Sequence, residues 1–208
     1  MALASSLLSY IRFFVFLSPM IVPIMAIFGS LFESNMKGFI YVFGLVIAMT
    51  FGKFIAPTVG KYVPHSGTFS NNFKPIIDPA CNLVGTSAEG WGFVFSSPGP
   101  HALLLAFTTT YLLFPMFMNN NVNFLIVGGL LLLSALSAIM RVTPPMRCVS
   151  WFDVLIGWFT GFILGAIWYF TVIILGGRDS NLTYFETQKS DRQQCTVDKK
   201  VFRCRKSQ

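Results

Sequence analysis

The sequence predicts an all-α integral membrane protein, a bundle of about five transmembrane helices. Three observations carry that reading. Of 208 residues, 54% are apolar by type. Only 11% are charged, against about 25% in an average soluble domain. The charges also leave long gaps: 20 residues between Arg12 and Glu33, 51 between Glu89 and Arg141, and 24 between Asp153 and Arg178. A helix crosses roughly 30 Å of hydrocarbon with about 20 mostly apolar residues. The first and last gaps therefore fit one span each, and the middle gap fits two spans and a turn. Such a composition excludes a disordered chain, which would be polar, and argues against an ordinary soluble globule.

The first span covers about Ile11–Phe32 and contains Pro19 and Pro23, which membrane helices tolerate at the cost of a kink. It is longer than the roughly 7–15-residue core of a signal peptide and has no basic segment before it, so a retained helix is expected. The second span, Gly38–Pro57, is interrupted by Lys53, whose long side chain can snorkel to the interface. The third is His101–Met118 and the fourth Phe124–Met140, with Asn119, Asn120, Asn121 and Asn123 as a polar, uncharged turn between them. The fifth, Trp151–Leu175, closes at Gly176 and Gly177 and carries Gly157, Gly161 and Gly165. A glycine every fourth residue makes a stripe along which another helix backbone can approach closely.

These spans divide the chain into a helical bundle, residues 1–177, and a basic polar tail, residues 178–208. The outer connection, residues 58–100, is rich in Pro and Gly and reads as irregular and extramembrane. Trp91, Trp151 and Tyr62 suit an interfacial belt. The tail holds eight Lys and Arg against four Asp and Glu, which the positive-inside rule places in the cytosol. Five spans then put the N-terminus and the outer connection on the opposite side. The expected partners are the bilayer itself, anionic headgroups drawn by the basic tail at roughly 1 kcal/mol per residue near the surface, and proteins docking on the connection or the tail. A nucleic-acid partner is not expected, because no recognition motif accompanies the charge.

Four cysteines are too few for a disulfide framework. Cys81 and Cys148 fall on the proposed outer face, where an oxidising compartment would let them pair. Cys195 and Cys204 lie in the tail and would be free thiols in a reducing cytosol. Their spacing is not that of a zinc site, and no metal or other cofactor is expected. Asn181-Leu182-Thr183 is a glycosylation triplet, silent on the cytosolic side.

The polar residues with chemical potential collect at one membrane face. Lys53 and Lys61 close span two, His101 opens span three, Arg141 closes span four, Arg147 lies in the following turn and Asp153 opens span five. Cations around one His and one Asp suggest an anion site, with Lys53, Lys61, Arg141 and Arg147 as its anion- or lipid-binding residues. The plainer alternative is that charges simply gather at helix ends.

Several of these residues resemble the motifs of the type-2 phosphatidic-acid phosphatase family of membrane enzymes. Asp153-Val154-Leu155-Ile156-Gly157, running into an apolar helix, resembles the end of that family's third motif, and Ser137 with Arg141-Val142 resembles its beginning. Pro98-Gly99-Pro100-His101 resembles the second motif, and Lys53 through Lys61-Tyr62-Val63-Pro64 echoes the first. The resemblance covers about residues 38–175 and implies that family's helical fold, with His101 as general acid and His101, Arg141 and Asp153 as the surviving catalytic set. Two departures stand against catalysis. The family's nucleophilic His, four residues before the Asp, is replaced by Val149, and the first motif's Arg is absent. Without the nucleophile, Asp153 has no imidazole to orient. The expectation is thus a non-catalytic, structural or lipid- or partner-docking protein on a phosphatase-like scaffold, in an endomembrane or the internal membrane of a large virus. An active phosphatase using His101 is the alternative.

Overall fold

A computed structural model describes residues 2–59, 97–120, 122–143, 149–177, 184, 193–198 and 201–206. The described chain forms five long helices: α1 (Ala2–Phe32), α2 (Lys37–Val59), α3 (Pro100–Met118), α4 (Phe124–Val142) and α5 (Trp151–Val172). One π-helical turn, Ile173–Gly177, prolongs α5, and two strands follow, β1 (Gln193–Asp198) and β2 (Val201–Lys206). All five helices are long and apolar enough to cross a bilayer. Each lies on the span expected for it, with ends shifted by at most three residues. The exception is α1, which begins about three turns earlier than the apolar run. The molecule is a multi-span membrane bundle, and its exposed surface carries the large apolar side chains expected of a lipid-facing wall, Phe13, Met25, Phe43, Leu132 and Phe159 among them.

Burial is uneven in a way that fixes the architecture. Of the spans, α3 is 67% buried, whereas the other four are 17–33% buried. It is also the least hydrophobic of the five. A helix surrounded by protein can carry polar side chains that a lipid-facing helix cannot, provided each is satisfied. Thr108 and Thr110 meet that condition by donating to the Leu104 and Ala106 carbonyls. Because the Thr108 hydroxyl is already donating, the 2.7 Å contact with Tyr41 has the tyrosine O–H as donor. Tyr41, Leu45 and Ala48 of α2, Leu103, Leu104, Phe107 and Tyr111 of α3, and Tyr169 of α5 form the core around it.

The glycine stripe supplies the closest helix contact. A methyl group on Gly157 would stand 2.6 Å from the Gly99 carbonyl oxygen, one on Gly165 2.9 Å from that of Phe107, and one on Gly161 would collide with that of Leu103. α5 therefore lies backbone against backbone on α3. Glycine serves α2 as well: Gly44 leaves room for the Trp168 indole, whose Nε1 donates to the Ile40 carbonyl at 3.2 Å.

Turn chemistry ends the helices where the sequence suggests. The Asn123 side chain caps α4, accepting from Leu125 N–H at 3.1 Å and Ile126 N–H at 3.4 Å. Asn120 takes a left-handed φ of 50° in the α3–α4 turn, a conformation Asn tolerates. At the same end of the bundle Tyr184, after α5, returns to the α1–α2 turn, where its side chain hydrogen-bonds with Ser30 and packs against the core.

Candidate functional site

The ends of α3, α4 and α5 meet on the face opposite that turn. Two devices anchor them. Gly99 N–H donates to the Asp153 carbonyl at 2.9 Å, tying the start of α3 to the start of α5. The Asp153 carboxylate accepts from Ser150 N–H at 3.0 Å and caps α5. Gly99 suits this junction because a Cβ there would press against the Asp153 carbonyl oxygen at 3.1 Å. His101 is thereby held one turn into α3, facing the last turn of α4.

Between them is a cavity of about 20 Å³ lined by His101, Ser134, Ser137, Arg141, Val149 and Trp158, among others. That is room for about one water or one oxygen-sized group. Its walls are mostly apolar, but two buried polar side chains reach it unsatisfied. His101 is 5% exposed and Arg141 3%. Neither His101 ring nitrogen, nor Nε or Nη2 of Arg141, has a hydrogen-bond partner among the described residues. The guanidinium instead lies 4.3 Å from the centre of the Phe16 ring of α1. A cation over an aromatic face gains about 0.5–2 kcal/mol, which falls short of the several kcal/mol needed to bury an ion. Among the described residues no carboxylate pairs with Arg141, so they leave the site with one positive charge in excess.

A second, apolar cavity of about 390 Å³ adjoins the first. It lies between α3, α4 and α5, and Ser134 and Trp158 line both spaces. It follows α3 from Ala106 to Phe117, about 16 Å at 1.5 Å rise per residue, roughly the depth of one leaflet.

The structure thus brings His101, Arg141 and Val149 to one cavity and gives Asp153 a capping role beside it. Lys53, on α2, does not line the cavity. Lys61, Arg147, Cys81 and Cys148 lie outside the described residues. Sequence reasoning missed Ser134, Trp158 and Phe16. Ser134, Ser137, Ala138 and Arg141 stand at i, i+3, i+4 and i+7, the spacing of one helix face, and that signal would have found Ser134. Nothing local marks Phe16, which reaches Arg141 only through the packing of α1 on α4. Among the described residues no three His, Cys, Asp or Glu side chains come together as a metal site.

No protein-family model, curated protein or solved structure matches this chain.

Proposed function

We propose that the protein is a non-catalytic membrane bundle on a phosphatase-like scaffold that holds an anionic lipid headgroup where α3, α4 and α5 meet, and that its role is to organise membrane or dock partners. The observation that carries this is Arg141, a buried guanidinium with no anionic partner among the described residues, facing a cavity it shares with His101. An anionic oxygen entering that cavity would supply the missing charge and accept the free N–H groups. Its size admits one such oxygen, with the rest of the phosphate outside. The adjoining apolar space suits the chain of the same amphiphile.

Val149 lines this cavity, at the position where the resembling family carries its nucleophilic His. An isopropyl group cannot attack phosphorus, so Val149 offers no covalent route. A general acid alone contributes typically 10²–10⁴-fold, far below what phosphate-monoester hydrolysis requires. The competing reading is an active phosphatase with His101 as acid. It draws on the same burial of His101, whose free ring nitrogens would suit proton transfer.

The test uses purified protein in nanodiscs of zwitterionic lipid with increasing phosphatidic acid, read by quenching of Trp fluorescence with brominated phosphatidic acid, since Trp158 stands at the junction. Preferential quenching that is lost in Arg141→Gln is expected. Equal quenching in both proteins would overturn headgroup binding. Phosphate release that disappears in His101→Ala would establish the phosphatase instead.

A further inference from the structure

The tail was expected to be a solvated polar segment with two free thiols, yet it contains a regular antiparallel pair. β1 and β2 run Gln193↔Lys206, Gln194↔Arg205, Cys195↔Cys204, Thr196↔Arg203, Val197↔Phe202 and Asp198↔Val201. The register sets the two tail cysteines directly opposite one another. We propose that Cys195 and Cys204 form a cross-strand disulfide that staples this hairpin.

Three arguments converge on the bond. The first is position in the ladder. Only Lys199 and Lys200 separate the strands, and in a hairpin with a two-residue connection the flanking pair, here Asp198↔Val201, is hydrogen-bonded. Pairs alternate from there. Val197↔Phe202 is therefore non-hydrogen-bonded, Thr196↔Arg203 hydrogen-bonded, and Cys195↔Cys204 non-hydrogen-bonded. At such a site opposing Cα atoms stand about 4.5 Å apart, inside the roughly 4.4–6.8 Å range of disulfides.

The second is that the hairpin lacks the usual means of fixing its own register. Two-residue connections favour Asn-Gly, Asp-Gly or an initial Gly, which take positive φ without strain. Lys-Lys supplies none of these and puts two like charges side by side. A lone two-stranded hairpin is at best marginally stable in water. Closing so short a loop with a disulfide favours the paired state on the order of a hundredfold.

The third is the distribution of residue types. Strand residues alternate between two faces. By register, Gln193, Cys195, Val197, Phe202, Cys204 and Lys206 share one face, and Gln194, Thr196, Asp198, Val201, Arg203 and Arg205 share the other. The bond would thus form on the more apolar face, next to the Val197↔Phe202 pair.

The chemistry is thiol–disulfide exchange. One cysteine, as thiolate, attacks a sulfur of a donor disulfide, either glutathione disulfide or the active-site disulfide of a thiol oxidoreductase, and expels one donor thiolate. The second cysteine then attacks the mixed disulfide, forming the Cys195–Cys204 bond and releasing the other donor thiolate. The protein loses two protons and two electrons, and the donor disulfide becomes two thiols.

The test uses the full-length chain carrying Cys81→Ser and Cys148→Ser, so that only the tail thiols remain, isolated from its membranes into excess N-ethylmaleimide. After denaturation, labelling with a polyethylene-glycol maleimide is expected to add nothing without reduction and two labels per chain after reduction. The protein should run as a monomer on a non-reducing gel. Thiols already blocked at isolation, or a disulfide-linked dimer, would overturn the proposal. Cys204→Ser combined with Arg205→Cys moves one thiol to the other face of the strand and should abolish the internal bond. An internal bond formed equally well in that variant would show that proximity in sequence, rather than register, joins the thiols.

Discussion

Adding one methyl group to Gly161 tests the central contact of the bundle. The new Cβ of Gly161→Ala would collide with the Leu103 carbonyl oxygen and lie 2.9 Å from the Ala106 Cβ. The first obstacle is helix backbone, so no rotamer change relieves it, and α3 and α5 must move apart. Overpacking of this kind costs about 1–3 kcal/mol, while replacing a mid-helix glycine by alanine returns up to about 1 kcal/mol of helix propensity. A net loss of about 1–2 kcal/mol is expected. Gly165→Ala meets Phe107 oxygen at 2.9 Å and Thr110 Cβ at 3.0 Å, a smaller overlap, so it should cost less, and Gly157→Ala should fall between. Gly128 and Gly129 of α4 have nothing within 4 Å of the added atom, so alanine there should be neutral or stabilising. Reversible unfolding in mixed detergent micelles, titrated with a denaturing detergent, measures all five variants on one scale. If Gly161→Ala were as stable as Gly128→Ala, the claim that the stripe is a backbone contact would be wrong.

Other expectations follow from the site and the two ends of the bundle. Arg141→Met should leave folding stability unchanged or improved, because it removes a buried charge that has no anionic partner among the described residues, while weakening binding of phosphatidic acid by roughly 10–100-fold, the worth of a charged hydrogen bond; chemical unfolding and the quenching assay separate the two effects. Purified protein should release no phosphate from phosphatidic acid, and turnover sensitive to His101→Ala would contradict this. Burial, and beyond it the Glu33 carboxylate, raise the pKa of Tyr184 above its usual value, against the lowering effect of the Ser30 hydrogen bond. With the folded value above the unfolded one, its contribution is fully present below about pH 10 and is lost as pH rises through the folded value. Tyr184→Phe should abolish that alkaline loss in stability titrations. With the Cys195–Cys204 bond formed the tail belongs on the oxidising side, so protease should cut it only from the lumenal side of sealed vesicles and Asn181 should be glycosylated; cleavage from the cytosolic side would restore the orientation that the tail's charge suggests and count against the bond.

Much of the bundle is legible in the sequence because water and lipid sort residue types independently of the fold. Charge gaps account for four of the five spans, Asn123 marks the start of α4 through its own side chain, and the Gly157–Gly161–Gly165 spacing puts three glycines on one side of α5 whatever lies opposite. The collection of His101, Arg141 and Asp153 at one face follows from span order alone, since odd and even connections alternate across the membrane. Tertiary structure decided the rest. It made α3 the buried centre, because its hydroxyls return to their own backbone carbonyls and its companion α5 offers a surface without side chains. It separated Asp153, a helix cap, from His101 and Arg141, which face a cavity, although all three sit equally at helix ends. It also left Arg141 beneath Phe16 with no anion among the described residues. That imbalance depends on which side chains six or more turns away in sequence arrive beside it, and no local pattern of residues encodes the arrival.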